Sequence, residues 1–447
     1  MSCLGMVVSD MAVYESMKES GIEWIGKIPA TWKTHTLYQL VTQVKNKNSD
    51  LSEQNLLSLS YGKIKRKDIN SNGGLLPESF NGYNIIEDGD IVLRLTDLQN
   101  DHTSLRVGRA TERGIITSAY TTLRPIIKDS SKYLYYLLHC FDIKKGFYGM
   151  GSGVRQGLNY DEVKELRVIM PSSSTEQSAI AAYLDDQCAK IDTMIAEAKA
   201  SIEEYKKWKA SLIYEAVTKG LDPNVEMKDS GVEWIEKIPA SWSTARLKTL
   251  FTFSKGLSIT KADLVENGIP VISYGQIHAK TNTGTHLADE LLRYVPYKYL
   301  ESSADCMIKQ GDIILADTSE DLVGLGNAVL MDRQEQVFAG YHTIIMHPDN
   351  ADNSKYLSYL LLTDCWRSQL RSNASGIKVF SVTQKMLRAC NVILPTPKEQ
   401  TAIVNYLDKK CSSIDSIIAE KALIITNLEC YKRSLIFETV TGKRKVV

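Results

Sequence analysis

The sequence predicts an α+β protein in which two mixed α/β domains follow one another, separated by two long antiparallel coiled-coil-like helices. Three observations lead there. Ser20-Gly-Ile-Glu-Trp-Ile-Gly-Lys-Ile-Pro-Ala-Thr-Trp32 returns as Ser230-Gly-Val-Glu-Trp-Ile-Glu-Lys-Ile-Pro-Ala-Ser-Trp242, an offset of 210. Glu176-Gln177 with Tyr183-Leu-Asp185 returns as Glu399-Gln400 with Tyr406-Leu-Asp408, an offset of 223. Each closing pair opens a long apolar stripe at helical spacing. Shared frames around divergent middles predict one architecture built twice, an internal pseudo-twofold repeat.

Within the middles, further landmarks keep step. Ser60-Tyr-Gly62 matches Ser273-Tyr-Gly275, Gly89-Asp-Ile91 matches Gly311-Asp-Ile313, Lys132-Tyr-Leu134 matches Lys355-Tyr-Leu357, and Ser152-Gly153 matches Ser375-Gly376. The offset grows mainly between the first two landmarks, so the second half carries an insertion there, expected in surface loops. Ile91-Val-Leu-Arg-Leu95, Val168-Ile-Met170, Ile313-Ile-Leu315 and Val392-Ile-Leu394 are short apolar runs bounded by turn residues and predict strands. Asp88-Gly89 and Gln310-Gly311 predict tight turns into them. Residues 133–138 and 356–362 predict short helices with one buried face.

After Pro171 and Pro395 the period changes. Ile180, Leu184, Cys188, Ile191, Ile195, Ala198, Ile202, Tyr205 and Leu212 recur at spacings of three and four, or their sum. So do Ile403, Leu407, Cys411, Ile414, Ile418, Ile425, Leu428 and Leu435. Neither 175–219 nor 398–441 contains Gly or Pro, so each predicts one amphipathic helix. About 40 residues at 1.5 Å each span roughly 60 Å. Such a helix cannot bury its stripe alone, and its repeat equivalent is the simplest partner.

With 447 residues, each half is large enough for its own core. Lys+Arg and Asp+Glu both total 53, so a polyanion partner would need a local basic face. Eight scattered cysteines (Cys3 to Cys430), without a Cys-x-x-Cys pair, predict free thiols in a reducing compartment. The repeat-equivalent Cys188 and Cys411 predict packing roles. No apolar run approaches membrane-spanning length and no secretory signal precedes Tyr14, so a cytoplasmic protein is expected. There is no Gly-rich phosphate loop, no metal-ligand spacing among the seven histidines, and no base-gripping Asn/Asp-Pro-Pro-aromatic motif. Catalysis and a metal site are therefore not expected of this chain.

The paired Trp boxes, Pro171 before Glu176-Gln177, Pro395 before Glu399-Gln400 and the long helices resemble the specificity subunit of type I restriction-modification systems. The resemblance runs from about Tyr14 to Lys445. It implies an N-terminal arm (1–19), a first target-recognition domain (20–172), a spacer helix (173–220), a second domain with its leading linker (221–395), and a second spacer helix with the tail (396–447). It further implies a noncatalytic subunit reading split double-stranded DNA, one half-site per domain, with the helices fixing the gap. Its partners would be two methyltransferase subunits and a motor-nuclease. S-adenosylmethionine, ATP and Mg would sit on those partners, and no cofactor on this chain. The N-terminal segment is expected beside the end of the second helix. A duplicated-domain protein-interaction scaffold without sequence-specific DNA binding is the alternative.

Candidate DNA contacts follow from residue chemistry. Lys63, Lys65, Arg66 and Lys67 form a basic cluster that its counterpart, with Gln276, His278 and Lys280, lacks; the alternative is a solvated loop. Basic side chains position on phosphates or read guanine, and amides read adenine. Arg155 and Lys378 each follow a Ser-Gly loop through which backbone approaches phosphate closely, or which simply turns into a strand. Arg94 and Gln156 are further base-reading candidates. Trp24, Trp32, Trp234 and Trp242 recur in both halves and are expected as anchors rather than base-stacking platforms; Tyr61 and Tyr274 are expected in the core. Around Glu203, Glu204, Lys206, Lys207 and Lys209 the helix faces solvent or a partner subunit.

Overall fold

The computed structural model describes residues 13–69, 77, 79–98, 100–101, 103–150, 157–374, 376 and 378–446. The chain divides into two compact units: Met1–Lys199 with Lys421–Val447, and Ala200–Glu420. Both boundaries fall inside long helices, Ser174–Lys219 and Pro397–Val440, which continue unbroken through them. Each unit therefore owns one globular domain and one half of each helix. No helix among the described residues is long and apolar enough to cross a membrane.

In the first unit, four antiparallel strands lie in the order Val41–Gln43, Thr121–Pro125, Ile91–Leu93, Val107–Arg109. In the second, Phe251–Lys255, Thr343–Pro348, Ile313–Ala316 and Ala328–Leu330 repeat that order. The register repeats as well: Ile91 faces Leu123, and Ile313 faces Met346. The central strands are buried on every residue, which explains their unbroken apolar runs. Gly89 and Gly311, at φ +98° and +96°, make the tight turns before them. The predicted strands appear at Ile91–Leu93, Arg167–Met170, Ile313–Ala316 and Asn391–Leu394.

Three expectations need correction. The helix predicted over 133–138 runs Ser131–Ile143 and is buried at most of its residues, because it shares one core with both the sheet and the long helix; Ser354–Leu360 is likewise enclosed. The insertion in the second half is not simply surface loop. It adds strand Arg293–Val295 to the edge of a second sheet and contributes Leu287, Leu291 and Val295 to the core. Tyr61 is not a core residue. It stands 79% exposed at φ +48° in the turn between Leu57–Ser60 and Lys63–Arg66, whereas Tyr274 packs partly buried against a core cluster.

The repeated frames are joints between domain and helices. Trp32 and Trp242 are buried, and each indole N–H donates to the repeat-equivalent carboxylate, Glu176 or Glu399, at 3.1 Å. Tyr136 and Tyr359 donate to Asp185 and Asp408 at 2.8 and 2.6 Å. Gln177 and Gln400 donate back to the Pro171 and Pro395 carbonyls, at 2.9 and 3.0 Å. The fully buried Tyr133 and Tyr356 donate to Val440 O and Val217 O, each at 2.9 Å. Those acceptors are last-turn carbonyls, which a helix leaves without internal partners.

Antiparallel half-helices complete each unit. In the first, Arg444 reaches Tyr183 and Lys432 pairs with Asp192, so the strands of contact run in opposite directions. Lys443 donates to Ile25 O at 2.7 Å, bringing the tail onto the first box as expected. In the second, Lys209 pairs with Asp415 at 2.7 Å and Leu212 shares a core with Ile403, Leu407 and Cys411. The stripe is buried at Ile180, Leu184, Cys188, Ile191, Ile195, Leu212 and Leu435, and at Ile403, Leu407, Cys411 and Ile414. It is only half-buried at Ala198, Ile202, Tyr205, Ile418, Ile425 and Leu428. Residues 13–19, set apart above as an arm, include strand Met17–Glu19, paired with Lys27–Pro29.

Replacing Tyr356 with Phe leaves Val217 O buried without its donor; we expect a loss of about 1–3 kcal/mol in urea denaturation, and the same for Tyr133→Phe. A second prediction concerns His139, buried with its Nδ1 lacking a hydrogen-bond partner among the described residues. Burial, then the nearby Lys432 charge, brings its pKa from 6.5 down to about 4. A depressed histidine stabilises the fold fully above its unfolded pKa, and that contribution disappears as pH falls through the folded value. The urea midpoint should therefore fall between pH ~6.5 and ~4, and His139→Leu should flatten that slope.

Candidate nucleic-acid interface

The central strand of each domain ends at a loop, and three sequence landmarks converge on it. In the first unit the strand Ile91–Leu93 leads into the loop around 94–106. Leu158, following the Ser-Gly segment, donates its backbone N–H to Leu95 O at 2.9 Å. The Tyr61-Gly62 turn packs beside Leu105, close enough that a Cβ on Gly62 would meet Leu105 at 3.1 Å. In the second unit Val382, after the matching Ser-Gly segment, donates to Asp317 O at 2.8 Å. His278, just past the Tyr274–Ile277 helix, contacts Thr318 O through Nε2 at 2.7 Å. Both domains therefore bring the same three elements to the same end of the same strand.

What those rims present differs. The first exposes Thr96, Asp97 and Asn100, with Asn100 donating to the Asp97 carboxylate at 2.8 Å. Arg94 is partly exposed and lies 3.7 Å from Asp101. Hydrogen bonds from Ser104, its hydroxyl first, hold the Asp101 carboxyl well below the usual range, aided by Thr103 and Arg106. The second rim exposes Glu320, Asp321, Leu322 and Val323. Beside it stand Tyr274, Tyr341 and His342, their rings edge-on at 5.3–6.1 Å, with His342 also 3.2 Å from Asp317. Threonine, amide and imidazole groups suit base edges and phosphates, and a carboxylate suits the amino donor of cytosine.

The basic candidates are dispersed. Lys63, Lys65 and Arg66 lie on strand Lys63–Arg66 rather than in a loop, exposed like Lys67 beyond it. Lys63 sits 4.0 Å from Asp192, and Arg66 forms a forked pair with Glu112. Lys378 is exposed. Arg155 and Gln156 lie outside the described residues. Gln276 has a local task, its Oε1 accepting from Ser273 N to cap the Tyr274–Ile277 helix. Lys209 is engaged with Asp415, and Lys206 with Glu203. The four box tryptophans are buried or half-buried against the cores, as anchors are. Among the described residues no group of three or more His, Cys, Asp or Glu is placed to hold a metal ion.

Sequence reasoning missed the arginines that hold these loops. Arg106 is fully buried and donates to the carbonyls of Arg94, Thr96, Asp97 and Asp101 and to Tyr148 Oη. In the second unit Arg371 donates to Leu322 O at 2.9 Å and Val323 O at 3.3 Å, and Arg367 to Asn327 Oδ1 at 2.8 Å. Burial lowers the Arg367 pKa to about 10, with the Arg371 charge adding to it. No motif surrounds these arginines, and their positions do not correspond between the halves, so the repeat could not reveal them.

Comparison with known proteins agrees with this architecture. The family of the type I restriction modification DNA specificity domain matches residues 239–424. The specificity subunit of the type I restriction enzyme MjaVIII from Methanocaldococcus jannaschii is 23% identical over 347 residues, covering 75% of each chain. That of StySPI from Salmonella potsdam is 21% identical, covering 46% of this chain and 44% of its own length. In fold, the chain is similar to a subunit solved in work on complex assembly and conformational transition of the type I R-M system. The TM-score is 0.65 at 14% identity, covering 92% of this chain and 98% of that one. Matched domain, curated relatives and fold agree: the chain carries a match to the type I restriction modification DNA specificity domain and is similar over most of its length to type I restriction enzyme specificity subunits.

Proposed function

We propose that this noncatalytic specificity subunit reads a split double-stranded DNA target, each unit contacting one half-site through the rim at the end of its central strand. The observation that carries the reading is the pairing of a repeated scaffold with unlike rims. Joints, sheet order and strand register recur, while one rim exposes Thr96, Asp97 and Asn100 and the other Glu320, Asp321, Leu322 and Val323. A duplicated fold that keeps its frame and varies one edge suits two different half-sites. Major-groove hydrogen bonding would supply the base readout and the scattered basic residues, Lys378 among them, the phosphate contacts.

The partners proposed are two methyltransferase subunits and a motor-nuclease, with S-adenosylmethionine, ATP and Mg bound on those subunits, in the cytoplasm. The exposed faces of the long helices, including Met194, Trp208, Leu423 and Ile424, offer apolar surface for them. Because both helices run uninterrupted from one unit into the other, they are the proposed ruler for the gap between half-sites.

Methylome sequencing of a naive host expressing this chain with its methyltransferase tests the reading. A split motif carrying methyladenine in both halves, lost when this chain is omitted, is expected; a soluble complex without any new motif would overturn it. Inserting one helical turn of four residues within 196–207, matched within 419–430, should lengthen the preferred gap. An unchanged gap in an active, intact insertion variant would refute the ruler.

A further inference from the structure

Among the groups the proposed reading does not use, Arg106 is the most constrained. Its guanidinium is fully buried, yet no ion pair to a carboxylate is found for it among the described residues; its acceptors are four backbone carbonyls and the Tyr148 hydroxyl. Nη1 donates to Arg94 O (3.1 Å) and Thr96 O (2.7 Å), Nη2 to Asp97 O (3.1 Å) and Asp101 O (2.5 Å), and Nε to Tyr148 Oη (3.0 Å). All five donor positions of the side chain are thus spent on fixing one rim loop and one ring. The Tyr148 ring also lies under the guanidinium at 5.1 Å, and its hydroxyl donates to Asp101 O at 3.0 Å.

The base of the arrangement is fixed separately. Arg106 N donates to the buried Asp142 carboxylate at 2.6 Å, tying the arginine to the helix Ser131–Ile143. The loop it grips includes Asp97 at φ +58°, a conformation unfavourable to a residue with a Cβ unless its surroundings impose it. Two of the four gripped carbonyls belong to Thr96 and Asp97, whose side chains point into the exposed rim. The geometry therefore divides labour: buried guanidinium beneath, exposed reading groups above.

We infer that Arg106 is a positioning residue for DNA specificity, setting the backbone that aims Thr96, Asp97 and Asn100 at one half-site without touching DNA itself. The inference rests on the proposed reading of the rim. A lysine at 106 keeps the charge but carries three donors at one point instead of five in a planar fork, so it cannot hold four carbonyls spread along the loop. Displacing reading groups by about 1 Å is enough to lose oriented hydrogen bonds.

The test uses the full chain co-expressed with its methyltransferase, comparing wild type, Arg106→Lys, Tyr148→Phe and Arg371→Lys by methylome sequencing, with thermal melting of each purified complex. Arg106→Lys should cut methylation about tenfold to a hundredfold or relax one half of the motif, leaving the other half's consensus intact. Tyr148→Phe, a milder lesion that keeps the packing, should produce a weaker change in that same half. Arg371→Lys should alter only the opposite half. An unchanged motif and rate in melted-as-wild-type Arg106→Lys and Tyr148→Phe would overturn the inference, as would equal degradation of both halves. Should Arg106→Lys fail to assemble, Tyr148→Phe decides alone by the same criterion. A wild type that writes no split motif would overturn the rim reading itself, and this inference with it, an outcome distinguishable from the others.

Discussion

Everything in this molecule hangs on a joint made twice, in which a buried indole and a buried phenol bind a domain to a pair of helices. Trp32 and Trp242 grip the start of one long helix through Glu176 and Glu399, while Tyr133 and Tyr356 grip the end of the other through Val440 O and Val217 O. Each is a polar contact made in a core, where an unmade partner costs more than a made one gains. The joint therefore tolerates little variation in geometry. It pins the start of one helix and the end of the other to the same sheet-flanking helix, fixing the register of the antiparallel pair at the same time as the seating of the domain.

That strictness accounts for what the sequence disclosed. Trp32, Glu176, Tyr133, Asp185 and their partners recur because each has a specific acceptor or donor across the joint, so the frame could be recognised by comparing the chain with itself. The two long helices were legible for a different reason: stripes such as Ile180 to Ile195 continue too long without Gly or Pro to be anything else. The rim was legible only in outline. Gly-Asp-Ile and Ser-Gly landmarks marked where it lies, but Tyr61, expected inside, is the most exposed of the large aromatic side chains because a positive-φ turn carries it outward. Whether a tyrosine following a strand folds in or out depends on that turn, and pattern alone does not specify it. Arg106, Arg367 and Arg371 escaped because each holds backbone carbonyl oxygen, which carries no sequence signature.

The two domains solve the same loop problem by unlike means. One buries an arginine at the start of the strand Val107–Arg109; the other supplies arginines from the helix Asp364–Arg371. Likewise Asp90 pairs with Arg124 where Asp312 pairs with His347. Identical topology thus sets where a loop must be held without dictating which residue holds it. The consequence is a scaffold whose variable edge can change composition while the sheet beneath it, buried on every residue of the central strand, stays the same.

The bond from Lys443 to Ile25 O spans 418 residues of chain, and it imposes an order in time. A ribosome delivers the first domain and the first half of its helix long before the second helix that finishes that unit. At ~5–20 residues per second, the stripe from Ile180 to Ile195 waits roughly ten seconds or longer for Leu435, Ile436 and Val440 to emerge. The second unit, contiguous from Ala200 to Glu420, makes Leu212 wait in the same way for Ile403 and Leu407, yet all of it has been made before Leu435 emerges. Vectorial synthesis should therefore complete the later unit first, leaving the earlier one as the nascent chain's exposed apolar surface and its dependence on chaperones during translation.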